Sequence, residues 1–321
     1  MSIARKRLVN RIEDITLGAF GNLQPSETLN HLVRYLSTWS GSDKLFMLIQ
    51  YGAKVLIPIL QARARLQHRA GLRNEPTSSL TPKLAKLAGI IGDARTLWGI
   101  WGMLPIIQWL ISLERAPPPT RRLLTIERTQ GWTMLAFYPL QHLSYFRKHD
   151  LIPTALPLPP GLPSSGKLRR VTINPAAISL WSSRLWATYI VLQLAHLRED
   201  RSLLIKKRRA LSRLSSVEKE RAELARRWDT WYNELAVNLS FLPMTIHWSL
   251  ERGLFKNDAW ISFFGLAAAI ASFRNGWKAT ALPPSTPPAE PLPPPETEAE
   301  DTPRISDKPQ GSATDVGYEV K

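Results

Sequence analysis

The stretch Gly161–Lys167, GLPSSGK, has the spacing of a phosphate-cradling loop, in which backbone N–H groups hold an anion and a lysine neutralises it. Leu168 stands where a Ser or Thr hydroxyl must reach magnesium, and a proline-rich loop precedes the stretch where a strand is needed. The spacing is there without the chemistry. The six histidines, at 31, 68, 142, 149, 196 and 247, show neither an H-E-x-x-H pair nor another ligand spacing. Cysteine is absent, which removes disulfides, thiolate metal sites and thiol nucleophiles. No G-x-S-x-G elbow, dinucleotide glycine set or carboxylate pair is found. The residues therefore argue for no enzyme, no cofactor, no metal and no small-molecule substrate.

Charge is the stronger signal. Of a net +16 over 321 residues, the stretch Leu282–Lys321 carries 3 basic and 8 acidic side chains, which leaves 39 basic against 18 acidic in the rest. A body that basic suits an anionic partner, either nucleic acid or a lipid headgroup surface. The block Lys206–Arg213, KKRRALSR, has the composition of a nucleic-acid or nuclear-import patch. Apolar helices on both sides of it, and twelve tryptophans that mostly flank or enter apolar runs, favour lipid instead. The N-terminus MSIARKRLVNRIEDITLGAF is basic but lacks the apolar core of a secretory signal.

These residues need elements to carry them, and the elements are helical. Ser26 caps a first helix whose Leu29, Leu32, Val33 and Leu36 share one face. SGSD (Ser40–Asp43) is expected to break it, with a second helix starting near Asp43 and kinked at Pro58. On that second helix Gln50, Lys54, Gln61 and Arg65 form a narrow polar stripe of about 80° in an otherwise apolar surface. Thr81 and Pro82 read as an N-cap and first helical position. The helix that follows, Lys83–Trp98, is amphipathic. With Lys83 at 0°, Leu84, Leu87, Ile91, Ala94 and Trp98 fall between about 20° and 100°. Lys83 and Arg95 flank that wedge, an arrangement in which apolar burial and anionic headgroups act together. The membrane-binding set is therefore Lys83, Leu84, Lys86, Leu87, Ile91, Arg95 and Trp98.

Leu97–Leu113 continues as 17 uncharged residues, re-entrant or spanning around Pro105. Gly131–Phe146 is apolar but holds Gln141 and His142, which suits a bundle or interfacial helix. The proline-rich loop Leu151–Gly166 is a connector. Asn174–Leu197 is long enough to span but carries Arg184, and Arg198–Arg227 follows with 11 basic and 5 acidic residues, a cytosol-facing charge pattern. Glu234–Leu250 and Asp258–Phe273 form an apolar pair joined by ERGLFKN, with Gly265 and Ala269 as a small-residue packing face. From Leu282 onward, ten prolines and scattered acids describe a disordered tail.

Three stretches in order resemble the peroxin-11 family of peroxisomal membrane proteins, in a fungal form. They are LVRYLSTWSGSDKLFMLIQYGAKVL, LWSSRLWATYIVLQL and LPMTIHWSLERGLFKNDAWISFFGLAAAIASF. The resemblance covers about residues 30–280 and departs from the family pattern in Gly89, Gly92, the nearly neutral polar face of Lys83–Trp98 and the long proline-rich loops. It implies a peroxisomal membrane protein that promotes curvature, elongation and division of the organelle through its amphipathic helix. Partners would be membrane phospholipids, further copies of itself and other division proteins, with no nucleic acid. The expected fold is all-α and membrane-associated, with several short apolar helices. Its segments are 1–115 with the inserting helix, 116–173 as helix and connector, 174–281 with the basic segment and hairpin, and 282–321 as tail. Two rival functions follow from the same residues. One is a metabolite pore lined by Gln108, His142 and Arg184, the other an adaptor acting through its cytosolic loop and tail.

Overall fold

The computed structural model describes residues 11, 17–22, 24–157, 170–212 and 218–282. Most of the phosphate-loop look-alike's surroundings, the look-alike itself and the 283–321 tail lie outside these. The helices are α1 (Glu27–Leu36), α2 (Trp39–Arg69), α3 (Leu80–Trp98), α4 (Met103–Arg115), α5 (Arg121–Lys148), α6 (Pro175–Leu211), α7 (Glu218–Ser249) and α8 (Asp258–Ala279). The connector after α5 contributes a small departure from an all-helical chain. Its strands β1 (Ala155–Pro157) and β2 (Arg170–Thr172) pair antiparallel, with Leu156 opposite Val171.

Local signals set most boundaries. Ser26 caps α1 by accepting from the Leu29 N–H, Thr120 caps α5 through Leu123, Asn174 caps α6 through Ala176, and Asn257 caps α8 through Ala259. Two boundaries differ from expectation. The break between α1 and α2 falls at Ser37–Thr38, and SGSD lies inside the first turn of α2, because the Thr38 hydroxyl accepts from Gly41 N–H and wins the capping position. Likewise α3 starts at Leu80, so Thr81 and Pro82 sit inside its first turn and Thr81 makes no cap. A 3-10 turn, Gly99–Gly102, separates α3 from α4 and places Pro105 in the first turn of α4, so no re-entrant apex forms there. Both α2 and α5 run on through Pro58 and Pro139.

The helices pack as a ring, in the order α3, α2, α8, α7, α6, α5, with α4 packed on α5 and α3 touching α5 to close it. Neighbours are antiparallel. Gln130 of α5 donates to Gln193 of α6 at 2.6 Å while Ser144 donates to the Pro175 carbonyl at 2.8 Å, so opposite ends meet. The α7–α8 hairpin turns at Gly253, whose φ of +66° favours glycine. His247 Nδ1 accepts from the Leu254 and Phe255 N–H groups and ties that turn down. Gly265 earns its place by close approach, since a Cβ there would fall 2.1 Å from the Tyr51 ring of α2. Met47, Tyr51, Phe137, Tyr138, Trp186, Phe241 and Met244 fill the centre of the ring.

Candidate functional site

The α2–α3 hairpin carries the site. The start of its polar stripe, at Gln50, turns inward. Arg95 of α3 reaches Asp43 of α2 with Nε at 2.8 Å and Nη2 at 3.3 Å, and its Nη1 donates to Gln50 Oε1 at 2.9 Å. All three side chains are buried. A bidentate guanidinium–carboxylate pair with a third acceptor satisfies its donors, which is what a buried charge requires. Of the stripe Gln50, Lys54, Gln61 and Arg65, the first three line a cavity of about 780 Å³, whereas Arg65 is exposed and stands outside it. Opposite them stand Gly92, Asp93 and Thr96 of α3, with Tyr145 and Lys148 of α5.

The predicted membrane-binding residues divide between two sides of α3. Ile91 and Arg95 are buried against α2 and Leu84 is half-buried, whereas Lys83, Lys86, Leu87 and Trp98 are exposed. The apolar arc is wider than its predicted 80° or so, because Ile90 and Leu97 extend it past 0°. Packing against α2 takes the edge bearing Leu84, Ala88 and Ile91. The outward edge holds Leu87, Ile90, Ala94, Leu97 and Trp98. Sequence reasoning missed Ile90 and Leu97, and the signal was available in their 320–340° wheel positions.

That outward edge does not stop at the end of α3. Trp101 in the 3-10 turn and Leu104, Ile107 and Ile111 on α4 are exposed too, the last three at i, i+3, i+7 spacing. Together they make one apolar ridge along Leu80–Arg115, a 36-residue apolar stretch of which little is buried. The 31-residue α2 is a second stretch long and apolar enough to cross a membrane, with Phe46, Ile49, Leu56 and Ile59 exposed. A soluble bundle rarely leaves so much apolar surface in water. Further exposed apolar side chains sit on the other ring helices, among them Trp132, Val191, Leu239 and Ile270.

The residues named for a pore take separate places. Gln108 is exposed on α4, and His142 is buried with Nδ1 against the Tyr138 carbonyl at 2.9 Å. Arg184 lies over the Trp181 ring at 4.8 Å and donates to the Ser249 carbonyl at 3.3 Å. None of the three lines the cavity. Among the described residues, no group of three His, Asp or Glu side chains could hold a metal ion.

Residues 29–157 match the family model described as peroxisomal biogenesis factor 11 (PEX11). The match spans α1 to β1 and so contains the α2–α3 hairpin, the ridge and α5. No curated protein and no solved structure matches the chain.

Proposed function

We propose that this chain, through the match of its residues 29–157 to the peroxisomal biogenesis factor 11 family, is a non-enzymatic membrane-shaping protein of the peroxisomal membrane, and that the α3–α4 ridge is the wedge it inserts. The carrying observation is that the ridge is one-sided. Leu87, Ile90, Leu97, Trp98, Trp101, Leu104, Ile107 and Ile111 face outward while the opposite side of the same segment is packed on α2 and α5. A segment backed by protein along its length displaces lipid in one leaflet only, and area added to one leaflet bends the bilayer. Lys83 and Lys86 stand exposed beside the ridge, placed to meet headgroup phosphates. Burying a large apolar side chain contributes about 1.5–3 kcal/mol, so eight of them hold the wedge in place without any specific lipid contact.

The apolar face of α2 seats the body beside the wedge, and copies self-associate so that wedges concentrate locally and other division proteins gather there. Support for self-association comes from the apolar side chains that the ring helices leave outside the core, such as Trp132 and Leu239. The test uses the whole chain reconstituted into liposomes. Wild type is expected to draw vesicles into tubules, and Ile90→Asp with Trp101→Asp to leave them spherical while circular dichroism stays unchanged. Tubules formed equally well by that folded double variant would overturn the reading.

A further inference from the structure

Beyond the wedge, α6 and α7 extend past the ring as a paired arm whose own core is Leu204, Leu211 and Leu224 under Trp228 and Trp231. Trp231 Nε1 donates to the Leu197 carbonyl at 2.8 Å and roots the arm on the ring. Along α6 of this arm, Arg198, Arg201, Arg208 and Arg209 are exposed. They fall within about 100° of one another on a face about 17 Å long. The nearby acids are already committed. Glu199 pairs with Arg122 at 2.6 Å, Asp200 lies 3.1 Å from His196, and Glu223 pairs with Arg227 at 2.8 Å. The four arginines make no ion pair among the described residues.

The chain itself supplies the complement. Between 296 and 301 the tail holds Glu296, Glu298, Glu300 and Asp301 with no basic residue among them. The tail departs from the root of the same arm, because Lys278 near the end of α8 pairs with Asp229 of α7 at 2.5 Å. Glu296 lies 14 positions after Leu282, enough to reach up to about 45–50 Å when extended. That exceeds the length of the arginine face. We propose that the acidic segment 296–301 docks on the arginine face of α6 in the same chain. Arginine forks accept carboxylates in pairs, and tethering raises the effective concentration of the tail above that of a free acidic peptide.

Docking in cis withholds this basic face from other anionic surfaces until salt or a competing anion displaces the tail. The test places a photoreactive amino acid at Ala299 in the full chain, held in micelles of a neutral detergent. Crosslinks are expected onto peptides from 198–211, within one chain, at about 0.1 M salt. They should be lost at about 1 M, where the Debye length falls to about 3 Å. Glu296→Gln, Glu298→Gln, Glu300→Gln and Asp301→Asn together should also abolish them, as should Arg198→Gln with Arg201→Gln, Arg208→Gln and Arg209→Gln. The tail variant changes no residue of any helix, so its result stands even if the arginine variant folds poorly. Crosslinks that survive neutralisation, fall elsewhere, join two chains or never form would each overturn the proposal. Their absence, combined with weaker retention of the arginine variant on anionic vesicles, would assign the face to lipid instead.

Discussion

Arg95 shows how a residue's surroundings decide its role. On the helical wheel it fringes an apolar wedge, as a headgroup-seeking cation would. In the fold it bridges α3 to Asp43 and Gln50 and is only 6 % exposed. Removing one partner leaves the other charge buried and unpaired, which costs about 3–5 kcal/mol. Asp43→Ala should therefore lower thermal stability in detergent severely, whereas Asp43→Leu with Arg95→Met should recover much of the loss. His196 is the second case. Burial disfavours its charge, but hydrogen bonds to Asp200 and Glu127 outweigh that and raise its pKa to about 10. Its folded pKa lies above the unfolded value of about 6.5, so the stabilisation is full below about pH 6.5 and fades as pH rises towards 10. Unfolding midpoints measured across that window should fall for wild type and flatten for His196→Gln.

At the scale of elements, α3 separates two substitutions that the sequence alone treats alike. Leu87 is 43 % exposed and Ile91 is 8 % exposed on the same helix. Leu87→Asp should cut vesicle binding by tenfold or more, taking the loss as at least 1.4 kcal/mol, with the melting curve unmoved. Ile91→Asp buries a carboxylate against α2 and should unfold the hairpin instead. Melting curves and vesicle co-sedimentation on both variants separate the two effects. The helix itself was legible, because the 3.6-residue period of Lys83–Trp98 and its continuation into Leu97–Leu113 are local facts. Which edge of the apolar arc meets α2 was not legible, since it depends on Asp43, 52 positions away from Arg95. The α7–α8 hairpin was easier to read. Gly253 and the Asn257 cap punctuate it, and Gly265 marks where another backbone or ring must come close. Thr81–Pro82 misled because a residue suited to capping can equally sit one turn inside.

For the whole molecule, cooperativity should be uneven. The ring is held by a contiguous centre around Tyr51, Phe137 and Trp186, while the α6–α7 arm rests on the small cluster of Leu204, Leu211 and Leu224. Local opening follows local burial. In hydrogen exchange, Leu224→Ala should speed the amides of 204–211 and 218–228 and leave those of α2 and α8 at wild-type rates. Global acceleration would show that arm and ring unfold as one unit. The ring also has a seam. Strong packing joins α3 to α2, but on its other side α3 meets α5 only lightly, and the 780 Å³ cavity runs along that joint. A bilayer pulling on the ridge therefore acts on a split washer. Lateral tension is expected to act first on the light contact between α3 and α5, while Asp43–Arg95 holds α3 to α2 and α2 stays packed on α8.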